Sequence, residues 1–280
     1  MKVRKFIKTT LIYTLLIIIS IITVFPLLWG IVSSLRPDEE LFKYIMPFSA
    51  KTFIPQKLTF NSYIRLFTEF NFLRPIIVTL TVTIFTLVFG CTVNGIAAFS
   101  FATFNFRYKR VIYTIVLLSF MIPFEAIAMP LFNVVNQFGW VDTLHGIIIP
   151  CIADGLMLFL FTQFFREIPV SLIEAARVDG ANWMTVYIKI IMPSSVPVFV
   201  TAGLMTFTNQ WNSYMWPLLV ARSRNMQMIQ IAISSFRGER NTLWACLYAG
   251  AMISAIIPLF LFLPFQKNFV QGMISSGVKG

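Results

Sequence analysis

The stretch SLIEAARVDGANWMTVYIKIIMP, residues 171–193, contains the start and stop signals of two short helices. Ser171 and Glu174 have the Ser-x-x-Glu spacing of a capping box, in which each side chain satisfies a free backbone N–H group at a helix start. Gly180 tolerates the left-handed conformation that closes many helices at their carboxyl end. The sequence therefore predicts a first helix over 172–179 that ends sharply at Gly180.

A second helix is expected after the glycine turn. Asn182 is a suitable amino-terminal cap, and the helix is predicted to run to Met192 because Pro193 cannot continue it. Two short helices joined by a tight turn make a compact unit, residues 171–193, which we call the knob. Its candidate partner contacts are Glu174, Ala175, Ala176, Arg177, Asp179 and Gly180. From these signals alone, a docking element and a simple capped connecting loop both remain open.

The composition places the knob in a membrane protein. Of the 280 residues 58% are hydrophobic and 12% are charged, with a mean hydropathy of +0.79, whereas about a quarter of an ordinary soluble domain is charged. The single His argues against a His-rich metal site and a Ser/His/Asp hydrolase, and the three Cys form no CxxC pair. The net charge of +11 lies at the edges of apolar runs, which is typical of membrane flanks and not of nucleic-acid binding.

Six stretches are long and apolar enough to cross the hydrocarbon core, which takes about 20 helical residues. They cover approximately 9–34, 75–103, 111–136, 143–165, 196–220 and 243–266. The expected fold is an all-α membrane protein with six transmembrane helices in a single domain over 1–280. The first stretch is too long for the apolar part of a signal peptide and lacks a small-residue cleavage site, so it is expected to be a span.

The distribution of Lys and Arg gives an orientation, because these residues accumulate on the cytoplasmic side of membrane proteins. Basic clusters precede the first span and follow the second: Lys2, Arg4, Lys5, Lys8, Arg107, Lys109 and Arg110. We therefore expect both termini and the inner segment 166–195 to lie in the cytoplasm. The outer loops would then cover about 35–74, 137–142 and 221–242.

Polar side chains within the predicted spans are candidates for the path of a solute. Amides that donate and accept hydrogen bonds, beside aromatic rings, suit the hydroxyls and flat C–H faces of sugars. The candidates are Asn94, Glu125, Asn209, Trp211 and Asn212. Tyr214 and Trp216 are assigned to an aromatic belt at the membrane surface, an interpretation that also remains open for their neighbours.

Two carboxylates, Glu125 and Asp154, fall inside predicted spans, where an ionisable group usually faces an interior or a cavity. For Glu125, which follows Pro123, a place in the path and a contact between helices are equally supported. For Asp154 the helix contact is favoured, because Gly155 beside it indicates close packing of helices.

The pattern Glu174-Ala175-Ala176-x3-Gly180-x9-Ile190-x-Met192-Pro193 resembles the EAA motif of ABC importer permeases. One position departs, since Met192 stands where the family usually has Leu, and that exchange keeps volume and apolarity. Other segments are similar to the carbohydrate-importer branch, specifically to the second, six-span permease of maltose-type systems. They are Ser33-Ser34-Leu35-Arg36-Pro37, Phe60-Asn61-Ser62-Tyr63, Met121-Ile122-Pro123, Phe164-Phe165-Arg166-x-Ile168-Pro169, Trp211-Asn212, Trp216-Pro217-Leu218-Leu219 and Gly277-Val278-Lys279-Gly280.

This resemblance implies a type I ABC importer fold in a bacterial inner membrane. Its partners would be a second, different permease, two ATPase subunits that bind ATP and Mg, an extracellular solute-binding protein and a saccharide. The resemblance also implies that the EAA residues sit in a cleft of the ATPase, and that the arginine-rich outer loop 221–242 meets the binding protein. The chain has no Gly-x4-Gly-Lys-[Ser/Thr] phosphate loop, so we expect it to bind no cofactor or metal and to be no enzyme.

Three other functions remain alternatives. EAA motifs also occur in importer permeases for solutes other than sugars. A self-sufficient secondary carrier needs ion-coupling groups and commonly has internal repeats, and it leaves the EAA pattern unexplained. An intramembrane enzyme is least supported, because the sequence has no HExxH, no GxSxG and no paired carboxylates on one helix face.

Overall fold

The computed structural model describes residues 2–44, 49–238 and 242–277, and most of these residues are helical. In chain order the α-helices are α1 Lys2–Ser34, α2 Asp38–Leu41, α3 Asn61–Thr68, α4 Leu73–Thr103, α5 Lys109–Phe120, α6 Phe124–Gln137, α7 Leu144–Ile148, α8 Gly155–Arg166, α9 Val170–Val178, α10 Trp183–Val186, α11 Met192–Ser194, α12 Val196–Trp211, α13 Met215–Val220, α14 Ile229–Ser234 and α15 Trp244–Gly277. A π-helical segment, Tyr187–Ile191, joins α10 to α11. The all-α class expected from the composition is confirmed.

Three helices in the described ranges are each long and apolar enough to cross a membrane: Phe6–Ser34, Leu73–Thr103 and Trp244–Pro264. Three bent pairs meet the same criteria only when their two helices are taken together. The bend is 97° between α5 and α6, 42° between Leu144–Cys151 and α8, and 81° between Trp183–Ser194 and α12. Counting each bent pair as one span gives up to six spans, which is the number expected from hydropathy.

Each bend has a local cause in the sequence. Pro123 holds an extended backbone, with ψ 136°, between α5 and α6. Asp154 is extended between the two halves of the second pair and caps α8 with its side chain. Ser195 leaves helical geometry at φ −113° and ψ 13°, between Pro193 and Pro197. A proline supplies no N–H and crowds the carbonyl four residues earlier, so neighbouring prolines favour a break.

The predicted fifth span, 196–220, is not continuous. Helix α12 ends at Trp211, because Asn212 leaves helical geometry and its amide donates back to the Thr208 carbonyl at 2.9 Å. Helix α13 is therefore a separate, short helix. The second helix of the knob forms a bent pair with α12. Hydropathy did not predict that this helix of the knob would be part of a span.

The chain folds as two compact units. The first consists of residues 1–73 and 232–257, and the second of residues 74–231 and 258–280. The first unit contains the predicted outer loop 35–74 except for its last residue, and two short helices, α2 and α3, form within it. In the second unit, buried side chains of α4, α8, the knob and α12 share one core, among them Ala98, Phe161, Ile191 and Val198. The knob is therefore packed into the second unit.

A buried ion pair organises the predicted outer loop of the first unit. Arg36 donates from Nη2 to the Lys51 carbonyl at 2.8 Å, and the Glu40 carboxylate accepts from the backbone N–H groups of Gln56 and Lys57 at 2.7 and 3.2 Å. Arg36 is 1% and Glu40 is 7% exposed. These two side chains hold two distant stretches of the loop together.

Asp142 performs a similar task in the second unit, where it joins two of the predicted outer loops. Its backbone N–H donates to the Val220 carbonyl at 2.7 Å, and its carboxylate accepts the Ser223 N–H at 2.8 Å. The hydrogen bond from the Ser223 backbone lowers the pKa of Asp142 below its ordinary value of 3.8.

We expect the contact between Asp142 and Ser223, which we call the latch, to break in acid. Because the folded pKa is depressed, the carboxylate stabilises the fold above its ordinary pKa, and the stabilisation is lost as the pH falls through the folded value. Amide exchange in residues 221–226, corrected for the intrinsic rate, should rise as the pH drops below about 4. Asp142→Ala should show the fast exchange already at neutral pH, and equal protection of variant and parent would contradict the latch.

Candidate functional site

The first helix of the knob, α9, begins earlier than predicted, at Val170 instead of residue 172. The capping box expected at Ser171 is wrong. Pro169 occupies the cap position with φ −57° and ψ 126° and no side-chain cap bond, and the Leu172 N–H donates to its carbonyl at 3.1 Å. Proline enters a helix with φ already set and needs no N–H partner, so Ser171 and Glu174 lie inside the helix.

The glycine turn is confirmed. Gly180 has φ +82°, a left-handed conformation. Its N–H donates to the Arg177 carbonyl at 3.1 Å, and the Ala181 N–H donates to the Ala176 carbonyl at 2.9 Å. These two bonds are those of a Schellman motif, which closes a helix on a residue with positive φ. The requirement for glycine is therefore a property of the backbone at this position.

The second helix of the knob is capped by Asn182 as predicted, since its Oδ1 accepts the Thr185 N–H at 2.8 Å. The expected stop at Met192 is wrong, because the helix passes Pro193 and ends at Ser194. Pro193 stands in the first turn of α11, directly after the π-helical segment, where a missing N–H interrupts no α-helical bond.

One side of the knob is exposed and the other is part of the core. The predicted contact residues Glu174, Ala175, Arg177, Asp179 and Gly180 are exposed, and Ala176 is half-buried. Ile173 is buried among the core residues of the second unit. Val178 is 87% exposed, a position that the sequence reasoning missed although its charged neighbours Arg177 and Asp179 marked it as a surface residue.

Arg177 braces the turn between the two helices. Its Nη1 donates to the Ala181 carbonyl at 2.6 Å, and its guanidinium carbon lies 4.5 Å from the centre of the Trp183 ring. Trp183 in turn meets Phe104 edge to face, with ring centres 4.8 Å apart. The sequence reasoning assigned Arg177 to a partner contact and gave Trp183 no role, and the ring contact with Phe104 has no signal in local sequence.

Trp183→Ala is expected to loosen the knob without unfolding the chain. The substitution removes the cation–π contact and the edge contact, so we expect the local stability of the knob to fall by about 1–3 kcal/mol. Hydrogen exchange across residues 170–185 should show it, as should a lower coupled transport rate. Met184→Ala is the matched control, because Met184 is a neighbouring exposed residue; equal loosening in both variants would contradict the bracing role.

Aromatic contacts continue from the brace into the core of the second unit. Phe104 packs against Phe99 with ring centres 5.7 Å apart, and Phe99 lies 5.4 Å from Tyr187. A side chain at Gly95 of α4 would collide with the Tyr187 hydroxyl, so α4 packs closely on the second helix of the knob. The exposed turn is thus fixed to the membrane-spanning helices of its own unit.

The predicted path residues near the end of α12 do not share one surface. Asn209 and Asn212 are exposed, and the Asn212 Oδ1 accepts from Gln230 at 3.2 Å. Trp211 is 0% exposed and stacks on Phe207, with ring centres 5.7 Å apart. In this conformation Trp211 offers no surface to a solute, whereas the path role of the two amides stays a prediction.

Asn94 and Asp154 meet at the break of the fourth predicted span. The Asn94 amide donates to the carbonyls of Gly90 and Ile152, both at 2.8 Å, and its Oδ1 accepts the Asp154 N–H at 3.2 Å. Both amide protons of Asn94 are therefore engaged with the backbone, which gives this residue a structural use that the path prediction did not include.

The Asp154 carboxylate bonds to its own helix, and not to a neighbouring helix as was favoured. Its Oδ1 accepts the N–H groups of Leu156 and Met157 at 2.8 and 3.0 Å, so it is the amino-terminal cap of α8. A side chain at Gly155 would collide with Phe120 of α5. The close packing inferred from Gly155 is present between α5 and α8.

Glu125 lies in the first turn of α6, just after the 97° bend, and it is exposed. A negative charge at this end of a helix is favoured by the helix dipole. This placement explains how the bend accommodates a carboxylate, and the path role of Glu125 stays a prediction.

The arginines of the predicted outer loop 221–242 are described in part. Arg222, Arg224 and Arg237 are exposed, and the Arg222 guanidinium carbon lies 5.3 Å from the centre of the Phe132 ring. Glu239 and Arg240 lie outside the described residues, as do Val278, Lys279 and Gly280 of the closing segment.

Comparison with known proteins agrees with this architecture. Residues 95–275 match the family model "Binding-protein-dependent transport system inner membrane component". The arabinooligosaccharides transport system permease protein AraQ of Halalkalibacterium halodurans is 30% identical over 94% of this chain and 93% of the relative. The sn-glycerol-3-phosphate transport system permease protein UgpE of Salmonella choleraesuis is 31% identical over 66% of each chain.

A solved structure shows the same fold. It is a crystal structure of a bacterial ABC transporter involved in the import of the acidic polysaccharide alginate, with a TM-score of 0.82, 21% identity and coverage of 94% of this chain and 96% of that chain. The match covers nearly the whole of both chains, and the family model covers the knob and the helices that pack on it. This chain therefore belongs to the family of binding-protein-dependent transport system inner membrane components, and it is a transport permease, not a catalytic subunit.

Proposed function

We propose that this chain forms half of the translocation path of an ATP-driven importer for a sugar or oligosaccharide. The relative named for arabinooligosaccharide transport supports this solute class, and the family description supports dependence on a binding protein. An extracellular binding protein delivers the solute, and a second, different permease completes the path. Asn209 and Asn212, whose amides are exposed, are the proposed solute contacts.

The knob is the proposed coupling element. The observation that carries this proposal is the Schellman turn at Gly180, which presents the exposed Glu174, Ala175 and Val178 on a helix fixed to the core. Two separate ATPase subunits, which bind ATP and Mg, receive this surface in a cleft. Both chain termini and the knob lie on the cytoplasmic side, as the basic residues predict. Closure of the ATPase pair then pulls on the knob and changes the side to which the path opens.

The solute class has one supported alternative. The relative UgpE is named for sn-glycerol-3-phosphate transport, so permeases of similar sequence are not confined to sugars. A ligand screen on the binding protein encoded nearby distinguishes the two. Binding of a saccharide would support a sugar importer, and binding of a phosphate ester would support the alternative.

The test is to tag this chain and express it together with its neighbouring genes. Purification should recover an ATPase, a second permease and, in the presence of ligand, the binding protein. Purified alone, the chain should hydrolyse no ATP. Recovery of the chain without any ATPase, or hydrolysis by the chain alone, would refute the proposed division of labour.

A further inference from the structure

A basic cleft beside the knob has no place in the coupling mechanism. It opens at the turn between α4 and α5 and next to the last residue of α8, with a volume of about 640 Å³. Three cations line it, Lys109, Arg110 and Arg166, together with Asn105 and Tyr113. The lining includes no Asp or Glu. A cavity of this size is in the range of small-molecule sites, and its charge selects an anion.

Among the described residues, no salt bridge neutralises the cations of the cleft. In the part of the chain that the structure describes, the salt bridges are Arg36–Glu40 and Arg65–Glu69, and neither involves the cleft. Lys109 donates to the Phe104 carbonyl at 2.8 Å, which uses one of its three N–H groups. The Arg166 guanidinium carbon lies 5.4 Å from the centre of the Tyr113 ring. The Tyr113 hydroxyl is buried without a hydrogen-bond partner.

An apolar face leads from the cleft along α5. Val111 lines the cleft, and Ile115 and Leu118 follow it at helical spacings of four and three residues. Such spacing places side chains on one face. The three are 54%, 60% and 55% exposed. A basic cleft at the end of an exposed apolar stripe suits a molecule with an anionic head and a hydrocarbon tail.

We propose that this cleft binds the phosphate headgroup of an anionic phospholipid, with an acyl chain along the Val111–Leu118 face of α5. The lipid comes from the cytoplasmic leaflet, a placement that rests on the orientation in the proposed function. Arg166 directly precedes the segment that leads into α9, so a lipid held there lies beside the coupling element. Basic pockets between membrane helices on the cytoplasmic side are known to hold anionic headgroups.

The experiment uses the assembled complex, stripped of lipid in mild detergent and titrated with phosphatidylglycerol or with phosphatidylcholine of the same acyl chains. Bound lipid is counted by native mass spectrometry. Phosphatidylglycerol should bind more tightly, and Arg110→Gln with Arg166→Gln should weaken it about 25-fold, near fivefold for each charge. Arg110→Lys, which keeps the charge, should bind nearly as well as the parent chain.

Arg107→Gln is the matched control. Arg107 lies in the same turn but is not part of the cleft lining, and its guanidinium carbon lies 5.0 Å from the centre of the Tyr108 ring. Its loss should leave phosphatidylglycerol binding nearly unchanged. An equal loss in this control would mean a diffuse charge effect and would overturn the site, as would equal affinity for the two lipids.

Two further arms decide the source of the anion. Inorganic phosphate or sn-glycerol 3-phosphate that displaced the lipid would assign the cleft to a soluble anion. Release of the ATPase by the double substitution, with lipid binding unchanged, would assign the cleft to protein docking. Either result would overturn the proposal. Because lipid binding is counted independently of transport, failure here and failure of the proposed function are distinguishable.

Discussion

Replacing Gly180 by valine is expected to abolish coupled transport while the chain still inserts and assembles with its partner permease. Gly180 has φ +82°, a conformation that a β-branched residue adopts only under strain. An added Cβ meets nothing within 4 Å, so the effect acts through the backbone and not through a clash. Strain of about 1–3 kcal/mol shifts the turn away from its Schellman geometry by a factor of about 5 to over 100.

The expected result is a loss of binding-protein-stimulated ATP hydrolysis and of uptake in proteoliposomes, by about tenfold or more. Gly180→Asn should retain most of both activities, since Asn tolerates the left-handed region. If the valine variant transported at the parent rate, the knob would not be the coupling element.

Gly139 provides a matched control within the same unit. It has φ +68°, nothing lies within 4 Å of an added Cβ, and it closes α6 with the same pair of bonds. The Gly139 N–H donates to the Asn136 carbonyl and the Trp140 N–H to the Val135 carbonyl, both at 3.0 Å. Gly139→Val therefore imposes the same backbone strain in a predicted outer loop. It should leave ATPase coupling intact, and equal loss of coupling would reduce the Gly180 effect to general destabilisation.

The difference between Gly180 and Ser171 shows what local sequence can predict at the site. The glycine turn depends on the backbone of a few consecutive residues, so the sequence specified it correctly. The capping box was equally local, but Pro169 competes for the same helix start and determines where α9 begins. The brace of Arg177 and Trp183 on Phe104 depends on residues distant in sequence, and no spacing rule reports such a contact.

For the spans as well, the sequence predicts some features and not others. Hydropathy averaged over about 20 residues locates apolar segments well, and five of the six predicted stretches correspond to a long helix or a bent pair. The fifth, 196–220, corresponds only in part, because its pair begins in the knob at Trp183 and ends at Trp211. Averaging does not detect a single residue that ends a helix, so the breaks at Asp154 and Asn212 were missed, whereas a break before residue 196 was expected from Pro193. Asn212 looked like a solute contact and also ends α12, because an amide can serve either purpose.

Glu40→Ala is expected to destabilise the first unit by about 3–5 kcal/mol, the cost of leaving one partner of a buried ion pair uncompensated. In the sequence Arg36 and Glu40 look like an ordinary pair at i and i+4, which is usually a surface feature. In the structure their side chains are 1% and 8% exposed. The loss strands the Arg36 guanidinium and also the backbone N–H groups of Gln56 and Lys57.

Arg65 and Glu69 form the control, because they are the same residue types at the same spacing in the same unit. Their side chains are 29% and 53% exposed, and the Arg65 Nε lies 3.0 Å from Glu69 Oε2. This distance is shorter than the 4.0 Å between Arg36 Nε and Glu40 Oε1. Glu69→Ala should nevertheless cost less than about 1 kcal/mol, since exposed pairs are screened by water and salt.

The measurement is the thermal midpoint of the purified complex, together with protease resistance of residues 35–74. Glu40→Ala should lower both, and Glu69→Ala should change neither appreciably. Adding Arg36→Met to Glu40→Ala should recover part of the loss, because it removes the stranded charge but not the two unpaired N–H groups. A shorter ion pair that proved more important than the longer one would show that distance, and not burial, determines the stability of this loop.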